Sequence, residues 1–393
     1  MAVDQLNDEQ REIRELVRTL ARDRIAPRAA EIDESHEFPW DIVELYREHG
    51  LFGLFFDEQY GGLGTGSLLA LIVIEDVSKV CATSGLILAA QELGSLGLKL
   101  AGTDEQKAAY LPRLASGEWL AAYALTEAGS GSDSAAMRTT ARRTDGEYVL
   151  NGSKRFITNA EVANLYTVFA KTDPDAGHAG ISAFVVEADA PGFDVARLEP
   201  KLGISGSTTG ELTFEECLVS AANLLGEEGD GFKIAMRVLD RSRPGIAAQA
   251  LGIAQGATDY ALEYAKSRET MGKPIAQHQL IAAKLADMET ACEAGRGLLY
   301  KFGRMVDEGV DGAELTKPSA QAKLFCSDTA MWVTTEAVQI LGGYGYIKEY
   351  PVERMMRDAK ITQIYEGTSE IQRLVIAREM VKENRAFLLA GVG

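Results

Sequence analysis

Cysteine is scarce and dispersed. Cys81, Cys217, Cys292 and Cys326 show no metal-ligand or redox-pair spacing, so no disulfide framework is expected and a reducing cytoplasm is. Histidine is as sparse. His36, His49, His178 and His278 are too scattered for a histidine metal site. Positive charge is in deficit, with 40 Lys and Arg against 58 Asp and Glu and a formal net charge of −18. That balance argues against nucleic acid and anionic membrane as partners. Local arginines can still bind an anion, which leaves a phosphorylated ligand open. No run is long enough for a bilayer. The most apolar one, Leu68 to Ile74, stops at Glu75-Asp76 and reads as a buried helix, so no stable membrane insertion is expected. The polar, acidic start, Met-Ala-Val-Asp-Gln-Leu-Asn-Asp-Glu-Gln, reads as neither signal peptide nor Arg-rich transit peptide, in line with a cytoplasmic protein. G-x-G-x-x-G, regular βαβ alternation, internal repeats and low-complexity linkers are missing too, which argues against a Rossmann domain.

What is present is an ordinary water-soluble composition, 46% hydrophobic and 25% charged in 393 residues, with room for two or three domains. The first third reads as helical. Asn7-Asp8-Glu9-Gln10 resembles a helix start, followed by Ile13, Leu16, Val17 and Leu20 on one face. Pro39 precedes a short helix ending at Gly50. Further helices are expected over Leu68–Val80, about Ser84–Leu100, and from the capping box Thr103-Asp104-Glu105-Gln106. From Trp119 to about Phe214 come short β-rich runs, including Trp119–Thr126, Tyr148–Leu150, Arg155–Thr158, Tyr166–Ala170, Ile181–Val186 and Glu211–Phe214. Asp145-Gly146 and Asn151-Gly152 read as hairpin turns, and the whole as a small antiparallel barrel or sandwich. From Gly231 on, long amphipathic segments return. They run to about Arg241, from Pro244 to about Ser267, over about Gln277–Asp307, Pro318–Leu341 and Pro351–Ile361, and from near Glu370. The expected fold class is mostly α with a central β domain, divided into residues 1–118, 119–230 and 231–393.

Several stretches have chemical potential. Tyr123–Asp133 ends a strand in a loop of glycines and small hydroxyl residues that can approach a polar ligand edge, or be a plain surface loop. Lys154–Asn159 places Phe156 and Thr158 on one strand face, suited to a flat ring and its edge, or to ordinary core. Asp240-Arg241-Ser242-Arg243-Pro244 stands at a helix junction. Arg268-Glu269-Thr270-Met271-Gly272-Lys273-Pro274, with His278-Gln279 downstream, could bind pyrophosphate or be a solvated turn. Gln339–Tyr346 has glycines that permit close backbone approach, or a helix C-cap. Most informative is Asp358–Arg373, where Glu366 sits between Tyr365 and Gly367 just before a new helix. Ser369 and Gln372 have capping-box spacing, and Ile371, Leu374 and Val375 follow at helical spacing. Glu366 is therefore on a short elbow, from which a carboxylate can point into a cavity as a base or simply face solvent.

Taken in order, with Lys201–Ser207 added, these stretches resemble the acyl-CoA dehydrogenase family of flavoproteins across most of the chain. The resemblance implies the acyl-CoA dehydrogenase fold: an N-terminal helical domain, a middle β-barrel or sandwich and a C-terminal four-helix bundle, usually in a homotetramer. FAD would lie between the middle and C-terminal domains, with part of its site supplied by a neighbouring subunit. Implied cofactor contacts are Tyr123, Leu125, Thr126, Gly131 and Ser132, with Phe156 and Thr158 at the flavin ring. Arg268, Met271, Gln339 and Gly343 would serve the neighbour's FAD, Thr270 and Gln279 are further implied cofactor contacts, and Thr368 and Glu370 would touch FAD from the last loop. On the acyl-CoA side the implied residues are Ser132, Asp240 near the CoA, Arg243, Tyr365, Glu366, Gly367 and Glu92.

The implied reaction is α,β-dehydrogenation of an acyl-CoA thioester to the trans-2-enoyl-CoA, as in fatty acid β-oxidation. Glu366 would take the α proton, with Arg243 beside it, and the β hydrogen would leave as hydride to flavin N5. The Glu366 N–H and a ribityl hydroxyl would hold the thioester oxygen. Electrons would pass to electron-transfer flavoprotein. An acyl-CoA oxidase and an enoyl-CoA reductase are alternative uses of the same site. Burial should raise the Glu366 pKa, and the helix start and Arg243 should lower it.

The chain also departs from the family pattern. Phe156 stands where Trp is usual, Ala128 for a common Pro, Met271 for a frequent Phe, and Ser205 for an arginine whose ion pair would be lost. Ser242 stands where some members carry their base, so it removes a rival carboxylate. The segment Ser84–Gly97, expected to line the acyl pocket, has Gln91 and Glu92 but no cation, which disfavours an arginine clamp for a dicarboxylyl chain.

Overall fold

The computed structural model describes residues 6–383. Six helices come first: α1 (Asp8–Leu20), α2 (Ala29–Ser35), α3 (Trp40–Glu48), α4 (Ser67–Ser78), α5 (Ala82–Ala101) and α6 (Asp104–Ala115). Two of them start at capping boxes, Asn7/Gln10 for α1 and Thr103/Gln106 for α6, each satisfying two otherwise unpaired N–H groups. Next come β1 (Ala121–Ala124), β2 (Thr140–Arg143), β3 (Glu147–Thr158), β4 (Leu165–Lys171), β5 (Ile181–Glu187), β6 (Phe193–Leu198), β7 (Thr209–Ser220) and β8 (Leu224–Leu225). The chain closes with α7 (Gly231–Ser267), a small hairpin of β9 (Glu269–Thr270) and β10 (Lys273–Pro274), α8 (Gln279–Asp307), α9 (Ala313–Leu341), α10 (Val352–Thr362) and α11 (Ser369–Lys382). In the bundle, α7 packs on α8, α9 and α10, and α11 on α9.

The middle region forms one sheet in the order β6-β7-β3-β2-β4-β5-β8, with β1 beside β4. The expectation of a purely antiparallel unit needs correcting, because β1 and β2 both meet β4 in parallel. Asn151-Gly152 is not a turn either. It is an irregularity inside the continuous strand β3, where the register against β7 slips. Gly152 has φ +146°, and a Cβ there would lie 2.6 Å from Thr139 Oγ1. The residue is a glycine because a neighbouring segment occupies that space. Strands β2 and β6 escape the sequence reading, since each exposes several polar or charged positions.

Pro244 does not divide two helices. It lies inside α7, which runs unbroken for 37 residues. Proline removes one backbone N–H and crowds the preceding turn. Here the loss is offset by packing, because nearly every residue from Ser242 to Thr258 is buried against α4, α5 and α9. The approach of α7 to α4 is close: a Cβ on Gly252 or Gly256 would come within 2.3 or 2.1 Å of the Glu75 or Lys79 carbonyl. This brings the first half of α7 against the N-terminal helices, where the site forms.

Helix α4 is almost wholly buried, and its two acids are buried with it. Glu75 accepts from Arg296 Nη2 at 2.8 Å and from the Tyr300 hydroxyl at 2.7 Å. Asp76 accepts from Arg14 at 2.9 Å and Arg18 at 3.1 Å. A buried carboxylate without a cation would be strongly disfavoured, so these pairs pin α4 to α8 and α1. Ser205, which stands where an arginine was expected, donates its hydroxyl to Asp33 at 2.8 Å, and Arg357 pairs with the same carboxylate.

Arg296→Met would leave Glu75 buried without its cation, and should cost about 3–5 kcal/mol of stability in denaturant unfolding. Joining it with Glu75→Leu should recover most of that loss; equal destabilisation in both proteins would refute this role for the pair.

Candidate active site

The elbow between α10 and α11 is built on two consecutive left-handed residues, Glu366 at φ 52° and Gly367 at φ 90°. Glycine adopts that region freely, but for glutamate it costs of the order of 1–3 kcal/mol and needs external restraint. The expected capping box does not form. Thr368 is the N-cap, and its Oγ1 accepts from the Ile371 N–H at 3.3 Å. Ser369 donates instead to Asp328 at 3.1 Å. Gln372, fully buried, turns its amide back on the elbow and donates to the carbonyls of Glu366 at 3.2 Å and Gly367 at 2.9 Å. Lys323 of α9 adds a second donor to the Gly367 carbonyl at 2.8 Å.

The elbow aims the Glu366 carboxylate at the first half of α7, where the Ser242 hydroxyl donates to Oε2 at 2.6 Å. Glu366 is half-buried by area, yet surrounding protein removes most of its hydration. That loss of hydration dominates and pushes its pKa up to about 7. Ser242, Lys323 and Arg243 pull it down, and Glu92 pushes it further up. The competition left open by the sequence is thus resolved in favour of burial.

The neighbours are tightly specified. Arg243 is buried and pairs with Asp240 at 2.8 Å, which in turn accepts from Thr316 at 2.6 Å. Loss of hydration lowers the Arg243 pKa, while Asp240 and Glu366 act to raise it. Its Nε, and the Tyr123 hydroxyl of β1, are buried without a hydrogen-bond partner among the described residues. Burial, then the Glu366 charge, holds the Tyr123 hydroxyl well above its usual pKa. The Tyr365 hydroxyl is taken by Gln249, which anchors to the Ala82 carbonyl at 2.9 Å, so Tyr365 ties the elbow to α7 and α5. Glu92 of α5 also bears on this carboxylate. Its own pKa is raised by burial and drawn back by Lys99, just beyond the segment read for the pocket, and by Arg241 of α7. Gln91 is not in the pocket: it bonds Leu114, Trp119 and Ala121, fastening α5 to α6 and β1.

A second surface adjoins β1. Leu125 and Thr126 lead into an open loop carrying Gly131 and Ser132, and nothing lies within 4 Å of where Gly131 would carry a Cβ. The loop is fixed at its root by a buried pair, Lys154 Nζ to Glu127 at 2.8 Å, with Glu127 also accepting from the Thr139 hydroxyl at 2.6 Å. A register irregularity between Lys154 and Ile157 turns Lys154 inward and Phe156 outward. Phe156, at φ 59°, is 57% exposed, with half-buried Thr158 beyond it. An exposed aromatic face, a nearby hydroxyl and an open glycine loop fit a flat conjugated ring with polar edges, as FAD has.

The remaining expected residues are not gathered here. Arg268, Thr270, Met271, Gln279, Gln339 and Gly343 are all exposed, around the far end of α7. Arg268 stands roughly 37 Å along the helix axis from Arg243, at ~1.5 Å per residue. Arg268 stacks on Tyr344 at 5.7 Å, and Thr270 meets His278 at 3.2 Å. Thr368 and Glu370 line a separate cavity of about 400 Å³ with Asp328, Lys360, Gln363 and Arg373. Sequence reasoning missed Ser242 as a donor, and Lys323, Gln372 and Gln249 as supports. One signal exists for Lys323: it is the single charge in the run Pro318–Ser327 of α9.

Three family models match the chain: the acyl-CoA dehydrogenase N-terminal domain over residues 7–118, the middle domain over 122–217 and the C-terminal domain over 229–381. The chain is 49% identical over 377 residues to an acyl-CoA dehydrogenase of Bacillus subtilis (strain 168), covering 96% of this chain and 99% of that protein. Its fold is similar to that of butyryl-CoA dehydrogenase from Megasphaera elsdenii, with a TM-score of 0.93 and 43% identity over 96% of this chain and 99% of that one. It is also similar to an acyl-CoA dehydrogenase from Bacillus anthracis complexed with FAD, with a TM-score of 0.89 and 35% identity over 96% of this chain and 68% of that one.

Ser242→Ala removes a hydrogen bond made to the charged form of Glu366, so the carboxyl should titrate higher by about one unit. Infrared difference spectra of the carboxyl band against pH, with Glu366→Gln as blank, measure this. An unmoved or lowered midpoint would contradict the assigned donor.

Proposed function

The chain belongs to the acyl-CoA dehydrogenase family, whose members are FAD enzymes, and we propose that Glu366 is its catalytic base. The observation that carries this reading is the Glu366 carboxyl itself: fixed on a left-handed elbow, hydrogen-bonded by Ser242, and brought to a pKa of about 7. A base with that pKa is ionised in much of the population at neutral pH, yet holds a proton well once it has taken one.

The α C–H of a thioester is acidic enough for a carboxylate only if the carbonyl oxygen is stabilised as charge moves onto it. The Glu366 N–H makes no hydrogen bond to the chain among the described residues, which suits it to that oxygen. Glu366 takes the α proton, and the electron pair left behind forms the Cα=Cβ bond of the trans-2-enoyl product. FAD, when bound, accepts the β hydrogen with its electron pair. Arg243 offsets the negative charge at Glu366 and is itself oriented by Asp240, which makes Asp240 a support for Arg243 as well as a candidate CoA contact. Tyr123, Leu125, Thr126, Gly131, Ser132, Phe156 and Thr158 would hold the flavin, whereas Thr368 and Glu370 line their own cavity apart from that surface.

A short acyl chain is the proposed substrate. Glu92, from α5, would stop the chain; it faces Gly245 of α7, where a Cβ would be in ordinary contact with Ala89, Ile74 and Glu92 at 3.7–3.9 Å. Butyryl-CoA, named for the Megasphaera relative, is the short acyl-CoA that supports this reading. The exposed Phe156, with the Arg155 guanidinium 5.1 Å from its ring, would offer the flavin edge to electron-transfer flavoprotein. Met271, Leu280 and Tyr346 are 94%, 81% and 84% exposed at the far end of the bundle. Other copies in a homotetramer would cover them, and Arg268, Thr270, Gln279, Gln339 and Gly343 would then reach a neighbour's FAD.

Anaerobic mixing of FAD-loaded protein with acyl-CoAs of varied length, branching and terminal carboxylation should bleach the flavin, fastest near four carbons. The bleaching rate should rise with pH through about 7 and then level, since only ionised Glu366 accepts a proton. Glu366→Gln should keep FAD yet slow bleaching by about 10²–10⁴-fold or more. Wild-type bleaching by this variant would overturn the base, and faster bleaching by long chains would overturn the substrate size.

A further inference from the structure

We infer that Lys323 is a positioning residue for Glu366: its ammonium, with the Gln372 amide, holds the elbow carbonyls together and keeps the carboxylate aimed at Ser242 of α7. The inference rests on the reading of Glu366 as base. It concerns a residue on another helix, far earlier in the chain and outside every motif considered above.

Lys323 is fully buried on the α9 face that meets the elbow. An isolated ammonium there is strongly disfavoured, and burial does lower its pKa, to about 8. Its side-chain hydrogen bond goes to the Gly367 carbonyl at 2.8 Å. Gln372 Nε2 approaches the Glu366 and Gly367 carbonyls at 3.2 and 2.9 Å, so both oxygens converge on one nitrogen. Two peptide oxygens turned to the same place, beside a carboxylate, gather negative charge with little water to screen it. A neutral amide alone answers this weakly. The nearby ammonium answers it with a full charge, and the convergence of the carbonyls is what the left-handed pair Glu366–Gly367 requires.

The orientation of Gln372 supports the same conclusion. Its Oε1 is buried without a hydrogen-bond partner among the described residues. Rotating the amide would set that oxygen against the two carbonyls, so the elbow fixes the amide while leaving one acceptor unmet. Such a local cost persists where the surrounding structure over-determines a strained conformation.

Other groups surround the pair. Arg243 of α7 and Glu92 of α5 bear on Glu366 directly, Asp240 of α7 pairs with Arg243, and Asp328 of α9 and Glu370 of α11 bear on Lys323; the neutral hydroxyls of Tyr123 on β1 and of Tyr365 feel the Glu366 charge. Among the cations, Lys323 lowers the Glu366 pKa more than Arg243 does, and of the two it alone bonds the elbow backbone. A substitution at Lys323 therefore combines two effects that a purely structural residue would not: a displaced Glu366 titration and a loss of aim.

The test uses full-length, FAD-loaded protein carrying Lys323→Met, Lys323→Gln or Lys323→Arg. The Glu366 midpoint is read by infrared difference titration against Glu366→Gln, which needs no turnover. Met and Gln should both raise the midpoint, by about one unit. Misdirection of the carboxylate should lower kcat about 10–100-fold, with KM within about threefold of wild type. Arg should restore the midpoint and part of kcat. If Met prevents folding, Gln, which keeps a donor without the charge, decides the matter. A midpoint and kcat within twofold of wild type in Gln, or no recovery of the midpoint in Arg, would overturn the inference. If wild-type protein bleaches with no acyl-CoA, the functional reading fails separately, while the infrared midpoints still decide whether Lys323 governs Glu366.

Discussion

A carboxylate can be held largely out of water only when the protein replaces what water did for it, and that requirement organises the Glu366 site. No single element could meet it. Helix α7 supplies the Ser242 hydroxyl and the Arg243 charge, α9 supplies Lys323, and α11 turns Gln372 back to hold the backbone. The demand recurs away from the site. Glu75 is answered by Arg296 and Tyr300, Glu127 by Lys154, and Asp358 by the Ile204 N–H. Each of these bonds joins segments far apart in sequence. Helices and sheet are therefore fastened by buried acids as well as by apolar packing.

Much of this was legible in the sequence because it depends on local rules. The helix start at Asn7 and the capping box at Thr103 fold as read, and Asn7 proves to have a box of its own, since a cap needs only residues three apart. Glu366 could be singled out because Tyr-Glu-Gly before a helix is a local pattern. The box expected at Ser369 and Gln372 failed for a tertiary reason: Asp328 and the elbow carbonyls compete for those two side chains, and Thr368 takes the cap. Pro244 failed as a helix break because burial of α7 on three sides outweighs one missing hydrogen bond. Asn151-Gly152 failed as a turn because β7 continues past it as a partner.

The site was legible in its chemistry more than in its supports. Residues that would touch ligand carry reactive groups and stand in recognisable strings. Ser242, Lys323, Gln249 and Gln372 act through other residues, and apart from Gln372 their partners lie 44 to 167 positions away. Periodicity cannot reveal a contact of that kind. Ser242 was read only for the carboxylate it lacks, whereas its hydroxyl is what Glu366 is bonded to.

The adjacent residues Gln91 and Glu92 have a consequence for how this protein adapts to its ligands. Neighbouring positions on a helix are about 100° apart, so a rotation or slide of α5 that moved Glu92 would also move Gln91. Gln91 makes three hydrogen bonds, to the end of α6, to Trp119 and to the first residue of β1. The helix segment bearing Glu92 is thus indexed to the sheet like a tooth in a ratchet, and a ligand pressing on it would have to break those three bonds before the helix could move.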